Sequence, residues 1–234
     1  YEIRRVNQRN QPTNSQEALA PLSELIPPQP NQFVRQSDDL IQLIVSSIGD
    51  KSFGGFEASD LKPTSADRKA SRLVNFNHSL VKRFAGASVR RNTRLSETEV
   101  AEQMLQTAMS AIEYDPRDAS YMSASDVARA GKAGRFGRAV FYTALLRAKR
   151  LPARLAVGLK VLDGTPPKLV DDVWVLVYAD ERWTAMDVTE GRIAAPDRII
   201  LSTTAMTDQE SADALASALR IPPKVKVKVF RTQK

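Results

Sequence analysis

The sequence predicts an α+β domain in which helices come first and an antiparallel sheet follows. Helical apolar periodicity marks the first part of the chain, and β-branched runs separated by short connections follow Pro152. This order is typical of the α+β class. The length of 234 residues suits one sizeable domain with an appendage, or two small domains. We expect N-terminal helices and a central helix packed on an antiparallel sheet.

The first 36 residues differ in composition from the rest. They are rich in Gln, Asn and Pro and show no sustained apolar period. Such a segment rarely buries enough apolar surface to fold alone, so we expect an extended or wrapping arm over residues 1–36 and a domain over residues 37–234. Because the chain opens at Tyr1 rather than at a methionine, we also expect a processed or excised piece of a longer protein.

Several helices are predicted upstream of the central one, each from a capping residue or an apolar periodicity. They run from Asp38 to Ile48, from Thr64 to just before Gly86, from Ser96 to just before Tyr114, and from Ser123 to Arg129. The sole histidine, His78, falls inside the second of these helices. A surface or core-edge role is the simpler interpretation there than a catalytic one.

The run GRFGRAVFYTALLRAKRLPAR, residues 134–154, predicts the central helix, with Arg135 in its first turn. Its middle is apolar on most faces, which is typical of a helix enclosed by other elements. Four strands are predicted after it: ARLAVGLKVL, DDVWVLVYAD, RWTAMDVT and RIILST. The short connection between Ala179 and Arg182 predicts a hairpin. A helix from Thr207 to Ala218 and a final strand, KVKVKVF, complete the prediction.

Two absences limit the chemistry more than any motif does. The chain has no cysteine, which excludes disulfides, thiolate metal sites and thiol nucleophiles within it. With one histidine, a His-rich metal site or a Ser-His-Asp relay is hard to assemble. We therefore expect no cofactor and no metal.

The formal net charge of +7 raises the possibility of a polyanion-binding domain. The basic residues are scattered, however, and no interleaved aromatic residues accompany them. Nucleic acid is therefore not the expected partner. No uninterrupted apolar run reaches the length of about 18 residues that a membrane span needs, so no span is expected.

The segment from Ser123 to Thr204 resembles the transglutaminase-like domain of the papain-like cysteine-protease superfamily. The motifs that carry the resemblance are SASDVARAGKAGRFGRAVFYTALLRAKRLPAR, DDVWVLVYADERWTAMDVT and GRIAAPDRIILSTTAM. In that family a nucleophilic cysteine begins the central helix. A histidine lies two residues before one tryptophan, and an aspartate lies four residues after a second. The resemblance implies a papain-like core over residues 123–204.

Carried over position by position, the family's triad is degenerate in this chain. The cysteine position falls on Arg135, the histidine position on Asp172, two residues before Trp174, and the aspartate position on Asp187, four residues after Trp183. A guanidinium stays protonated and cannot act as a nucleophile or as a proton shuttle. The resemblance therefore implies that acyl transfer through a thiol is lost.

Our hypothesis for the changed site is an ion-paired cluster, in which Arg135 lies against Asp172 and Asp187 and plugs the cleft. The alternatives are a surface arginine on a glycine-rich loop, a hairpin-edge charge at Asp172 and an ordinary strand-end aspartate at Asp187. Further cleft candidates are Trp174, Trp183, Asp171 and Phe136. For both tryptophans, a place in the core or cleft wall is the simpler interpretation than a ligand cage.

The resulting functional expectation is a catalytically inactive module that binds a peptide, a protein segment or cell-envelope material in the former groove. The resemblance further implies a bacterial, extracytoplasmic protein. A second interpretation is a hydrolase or transferase that uses Asp171, Asp172 and Asp187 as an acid/base pair or a hard-cation site. The polyanion-binding domain is the third.

Overall fold

The structure is a computed structural model. It describes residues 62–87, 95–164, 167–195 and 197–207 in full, and the backbone alone of residues 2–5, 32–37, 40–45 and 225–228. The helices of this part of the chain are α1 (Ser79–Ala87), α2 (Glu97–Ala111), α3 (Ala124–Ala130) and α4 (Arg135–Ala148). The main strands are β6 (Ala153–Leu162), β7 (Lys168–Ala179), β8 (Arg182–Asp187), β9 (Arg192–Ile193) and β10 (Arg198–Thr204). The α+β prediction is confirmed.

The main sheet has five antiparallel strands in the order β10-β6-β7-β8-β9. The predicted hairpin joins β7 to β8, with Ala179 opposite Arg182. Its two turn residues, Asp180 and Glu181, have φ angles of 48° and 61°. A two-residue turn with both φ angles positive has the backbone twist that suits adjoining antiparallel strands.

The central helix α4 is enclosed, as its composition predicts. Every residue from Gly137 to Arg147 is buried, and the helix packs on α1, α2 and α3 as well as on β6 and β7. The hydroxyl of Tyr142 donates a 2.9 Å hydrogen bond to the carbonyl oxygen of Ala101 on α2. Burial in this core raises the pKa of Tyr142 well above its ordinary value.

The two faces of the main sheet bury different sets of side chains. Alternate residues of β6 and β7, such as Leu155 and Val175, join the large core around α4. The intervening residues Ala156, Trp174 and Leu176 form a smaller cluster with Trp183 of β8 and Ile200 of β10. This alternation is the two-residue period of a strand that is covered on both faces.

The start of α2 is tied to the β7–β8 hairpin. Ser96 and Glu99 form the predicted capping box, with bonds of 3.2 Å and 2.7 Å to each other's backbone N–H groups. The carboxylate of Asp180 accepts bonds of 3.3 Å and 3.2 Å from the backbone N–H groups of Glu97 and Thr98. The hairpin therefore satisfies helix donors that have no partner within the helix.

The remaining described strands belong to two smaller sheets. The strands β4 (Glu113–Tyr114) and β5 (Lys132–Ala133) pair in parallel. A four-stranded sheet has the order β11-β1-β3-β2, from β1 (Glu2–Arg5), β2 (Gln32–Ser37), β3 (Leu40–Val45) and β11 (Val225–Lys228). β11 confirms the predicted final strand, and the helix predicted from Thr207 to Ala218 lies outside the described residues.

The helix predicted from Asp38 to Ile48 is wrong, because Leu40–Val45 is the strand β3. It pairs antiparallel with β2, and Ser37 lies opposite Leu40. Three of its six residues, Ile41, Ile44 and Val45, are β-branched. Such residues lose side-chain freedom in a helix and pack well on a sheet, so pairing overrides the helical period.

The helix predicted from Thr64 to just before Gly86 is wrong in its first part, and only its last residues, from Ser79, are α-helical, as α1. Thr64 and Asp67 do form the predicted local bond, with the Thr64 N–H 2.8 Å from an Asp67 carboxylate oxygen. That bond begins only a 3-10 helix over Ala66–Arg68. Asp67 also holds the guanidinium of Arg154 through bonds of 3.0 Å and 2.6 Å, and this contact with the sheet fixes the segment outside a helix.

His78 lies just before α1 rather than inside a helix. Its ring Nδ1 accepts a 3.2 Å bond from the backbone N–H of Leu80, as a capping residue does. The role of His78 is therefore local. Within the ranges that the structure describes, no helix is both long and apolar enough to cross a bilayer.

Candidate functional site at the start of the central helix

The start of α4 is held against the loop that precedes α3. Gly134 is the N-cap, and its N–H donates a 2.9 Å bond to a carboxylate oxygen of Asp118. A Cβ at this position would lie 1.9 Å from the carbonyl oxygen of Asp118, so only glycine fits. Hydrogen bonds from the Ser120 side chain and from Gly134 lower the pKa of Asp118. The first turn of α4 thus has a fixed place beside this loop.

Arg135 is the first residue of α4 and points toward β7. Its guanidinium donates to the carbonyl oxygen of Asp171, lies 3.1 Å from a carboxylate oxygen of Asp171, and lies 3.5 Å from Oδ1 of Asp172. About a third of its side chain, 35%, stays exposed. Arg135 is therefore a partly exposed helix residue paired with carboxylates, rather than a surface arginine on a loop.

The predicted contact between Arg135 and Asp187 is wrong. Among the described residues, no ion pair within 4.0 Å joins them. Arg198 lies against Asp187 instead, and it also donates a 3.0 Å bond from Nε to Oδ2 of Asp172. Two arginines rather than one therefore compensate the carboxylates of this cluster.

Asp172 is buried on β7, with 6% of its surface exposed. Oδ1 accepts a 3.0 Å bond from the N–H of Val173, and Oδ2 accepts from Arg198. Burial raises the pKa of Asp172, and the positive charge of Arg198 opposes that shift. A charge that discourages strand association would be exposed, so the edge-charge interpretation does not fit.

Asp187 ends β8 and is 2% exposed. Oδ1 accepts bonds of 2.7 Å and 2.9 Å from the N–H groups of Thr189 and Glu190, which forms a local turn. Oδ2 accepts from Arg198 and lies 4.0 Å from the ammonium group of Lys160. The carboxylate therefore acts both as a strand-end cap and as a member of the ionic cluster.

Sequence reasoning did not single out Arg198, although it lies at the start of the strand predicted from RIILST. The residue is only 4% exposed, and its guanidinium lies 5.9 Å from the Trp174 ring centre. A charged residue at the start of an otherwise apolar strand was the one signal available. That signal does not indicate a site residue, because none of the three positions of the family's triad falls on Arg198.

Arg138 is a second buried arginine that sequence reasoning missed. It is 4% exposed and lies over the ring of Tyr114 at 5.5 Å. Nη2 lies 3.4 Å from the Met109 carbonyl oxygen, and Nε is buried without a hydrogen-bond partner. Burial lowers the pKa of Arg138. Its position inside the predicted central helix gave no sign of this environment.

The two tryptophans are part of the core, in agreement with the interpretation that they are core or cleft-wall residues rather than a ligand cage. Trp174 is 1% exposed and Trp183 is 7% exposed. Arg154 lies 4.2 Å above the Trp183 ring, and Tyr178 packs edge-on against that ring at 5.4 Å. Neither ring is free to form an open cage for a ligand.

The other two cleft candidates are more accessible. Phe136, half-buried, packs edge-on against Tyr121 at 4.5 Å, and Tyr121 is 54% exposed. The Asp171 side chain is 65% exposed. The start of α4 therefore presents an aromatic pair, a guanidinium and a carboxylate side by side.

A cavity of about 480 Å³ lies elsewhere, between α1 and α2. Its lining residues are Phe84, Gln103, Gln106, Thr107, Ser110 and Ala111, none of which is a predicted site residue.

Within the described ranges, no group of three or more histidine, aspartate or glutamate side chains is arranged to hold a metal ion. The basic groups closest to Asp172 and Asp187 are arginine and lysine side chains.

Comparison with solved structures gives one similar fold at low sequence identity and two weaker matches. A candidate cysteine protease from Cytophaga hutchinsonii matches with a TM-score of 0.51 and 17% identity, over 72% of this chain and 53% of that one. A candidate protease from Parabacteroides distasonis, at 13% identity, gives 0.38 over 75% and 40%. A transglutaminase, at 15% identity, gives 0.35 over 76% and 48%. The chain thus spans about half the length of these proteins, or less.

The family comparison finds a match over part of the chain. A search of the curated proteins finds no significant match. The sequence model of the transglutaminase-like superfamily matches residues 84–188, a range that includes Arg135, Asp172 and Asp187 and ends before Arg198. Together with the arrangement of α4 and the antiparallel sheet, this match shows that residues 84–188 are similar to the transglutaminase-like superfamily.

Proposed function

We propose that this domain is a non-catalytic member of the transglutaminase-like superfamily that binds an extended peptide or protein segment at the start of α4. The observation that carries the proposal is the residue at that place. Arg135 begins the central helix, where the family has its cysteine, and the chain contains no cysteine at all. Arginine has no nucleophilic atom at neutral pH, so the helix start can bind but cannot form an acyl-enzyme.

The charge pairing around Arg135 supports binding over acid–base catalysis. A general acid or base must reach the substrate and change its protonation state. Asp172 and Asp187 are buried and hydrogen-bonded to the same guanidinium, that of Arg198. Asp171 is exposed but paired with Arg135. The carboxylates neutralise fixed cations, which argues against the hydrolase or transferase alternative.

The accessible groups at the start of α4 have the chemistry of a peptide-binding surface. Exposed Tyr121 and half-buried Phe136 form an aromatic pair, and Arg135 directly precedes Phe136 in the same helical turn. Tyrosine and arginine are enriched among the residues that contribute most to binding energy. A bound segment would place an apolar side chain on the aromatic pair and a polar group on Arg135.

The class of ligand follows from the fold rather than from a bound molecule. The structural neighbour from Cytophaga hutchinsonii is described as a candidate cysteine protease, and a protease holds polypeptide. We therefore propose a peptide, protein or cell-envelope peptide as the partner of the former groove. The same resemblance motivates a bacterial, extracytoplasmic setting as part of the proposal.

The proposal is tested by peptide binding to matched arginine variants. The probe is a set of labelled ten-residue peptides, unstructured and varied in aromatic and acidic content, followed by fluorescence anisotropy. The peptides that bind the unmodified protein are selected from this set. Arg135→Glu should weaken the binding of these selected peptides by about tenfold or more, since a lost charged hydrogen bond costs about 1.5–3 kcal/mol.

The control is Arg129→Glu, at an exposed arginine of α3 paired only with a neighbour in the same helix. It has the same change of charge and should leave binding within about twofold, because exposed ion pairs of this kind contribute little. An equal loss of peptide affinity in both variants would show that net charge alone causes the effect, and would favour a polyanion-binding domain. Equal affinity of Arg135→Glu and the unmodified protein would overturn the proposal.

A further inference from the structure

Arg198 is the most fully engaged charged group of the cluster. Each of its three guanidinium nitrogens contacts a different carboxylate. Nε lies 3.0 Å from Asp172, Nη1 lies 2.6 Å from Asp197, and Nη2 donates to Asp187. Because the side chain is only 4% exposed, water competes little for these bonds.

The contacts of Arg198 cross the main sheet. Arg198 lies on β10 opposite Lys160 of β6. Its partner Asp172 lies on β7, and its partner Asp187 lies at the end of β8. In the sheet order β10-β6-β7-β8, one side chain therefore joins the outer strand to the third and fourth. The position of Asp172 is fixed by β10 as well as by its own strand.

Arg135 makes weaker contact with the same carboxylates. Its nearest approach to Asp172 is 3.5 Å, which is longer than a strong charged hydrogen bond, and its hydrogen bonds go to Asp171. Among the described residues it forms no ion pair with Asp187. The compensation of the two buried carboxylates therefore comes chiefly from Arg198.

We propose that Arg198 is the positioning residue of this site, and that it leaves Arg135 available for a ligand. By pairing with both Asp172 and Asp187 and holding them in place, Arg198 removes the need for Arg135 to neutralise them. An arginine has five N–H donors, two hydrogen bonds of Arg135 go to Asp171, and its side chain stays 35% exposed. This inference rests on the proposed function and specifies the ligand as a segment with an oxygen acceptor, either a backbone carbonyl or a carboxylate.

The division of labour between the two arginines can be measured with a reporter at position 172. In Asp172→His the new imidazole would lie between the arginines, and the protein would contain only two histidines, of which His78 serves as the internal reference in an NMR titration. The charged groups that face this position are Arg198 from β10, Arg135 from α4, Asp187 from β8 and Asp171 from β7, with Lys160 of β6 beyond Asp187.

The expected pKa of the reporter histidine is below the ordinary value of about 6.5. The positive charge of Arg198 repels an imidazolium, and its pairing with Asp187 keeps that carboxylate from stabilising the imidazolium. Adding Arg198→Gln should raise that pKa by about one unit or more, since the Asp187 carboxylate becomes free to accept a hydrogen bond from the imidazolium and to stabilise its charge. Adding Arg198→Lys should keep it low, because the positive charge remains. Adding Arg135→Gln should change it by less than half as much as Arg198→Gln.

A purely structural role of Arg198 would not produce this pattern. An upward shift with Arg135→Gln that equals or exceeds the shift with Arg198→Gln would overturn the inference. If the Arg198→Gln protein does not fold, the Arg135→Gln titration still decides, since a rise of one unit there would assign the compensation to Arg135. The titration uses no ligand, so its outcome is independent of whether the domain binds peptides.

A second measurement identifies the acceptor. Among the peptides selected by the unmodified protein, replacing acidic side chains by their amides should leave affinity unchanged if Arg135 binds a backbone carbonyl, and should weaken it about tenfold if Arg135 binds a carboxylate. Selected peptides whose affinity for the Arg135→Gln variant equals that for the unmodified protein would contradict both forms.

Discussion

The two ends of the central helix each carry an arginine, but the two side chains are held in opposite ways. Arg147, in the last turn of α4, is 2% exposed, and its hydrogen bonds within the described residues go to the backbone carbonyl oxygens of Lys69, Ala153 and Ala205. Arg135, in the first turn, is partly exposed and contacts the carboxylates of Asp171 and Asp172.

The helix dipole explains the difference. A cation near a helix C-terminus is favourable, so Arg147 needs no carboxylate of its own. Its contacts join the segment before α1, the start of β6 and the residue after β10, and burial lowers its pKa to about 10. A cation at a helix N-terminus is unfavourable by about 0.3–1 kcal/mol, so the carboxylates around Arg135 offset a cost. Arg147 therefore stabilises the fold, whereas Arg135 lies at a helix end where a cation does not by itself add stability.

The largest expected effect is on stability at the C-terminal end. Arg147→Met should lower the free energy of unfolding by about 3 kcal/mol or more, because a buried guanidinium is removed and three carbonyl oxygens, that of buried Ala153 among them, lose their donor at once. Urea unfolding followed by circular dichroism measures the change. Arg129→Met, at an exposed arginine of α3, is the matched control and should change stability by less than about 0.5 kcal/mol. An Arg147→Met midpoint equal to that of the control would contradict the structural role.

A smaller effect is expected at the N-terminal end. Arg135→Gln should change the free energy of unfolding by less than about 1 kcal/mol in either direction, because the lost ion pair is partly solvated and the helix dipole gains by removal of the cation. The same urea experiment gives the comparison with Arg147→Met. A loss as large as that of Arg147→Met would remove the distinction between the two ends of α4.

The order of elements from α2 to β10 could be predicted because local signals agree with the fold there. The capping box at Ser96, the glycine before Arg135 and the two-residue turn after Ala179 each specify a boundary without help from distant residues. The strand ARLAVGLKVL, predicted over residues 153–162, has the same bounds in the structure.

The failures occur where a distant partner decides the local conformation. Asp67 would begin a helix by its local pattern, but Arg154 from β6 binds its carboxylate and the segment stays irregular. The run after Ser37 has helical periodicity, yet its backbone pairs with β2. Neither partner is visible in a window of ten or fifteen residues.

The candidate site shows the same limit. The spacing from Trp174 and Trp183 located Asp172 and Asp187, and the helix start located Arg135. The cation that bridges the two aspartates, Arg198, comes from a strand that follows the residues matched by the family model, and nothing in the local sequence of β10 indicates its partners. Spacing therefore located positions along the chain, but the pairing of charges depends on strand order in the sheet.

The central claim is that the start of α4 binds without catalysing, and turnover by the unmodified protein tests it most directly. Peptide hydrolysis and amine incorporation into glutamine-containing peptides should both remain at the background rate, because the helix start has a guanidinium where acyl transfer needs a nucleophile. The matching measurement on Asp172→Asn separates the domain's own chemistry from a contaminant. Turnover by the unmodified protein that disappears in Asp172→Asn would contradict the account and would restore the carboxylate-based enzyme as the function of this domain.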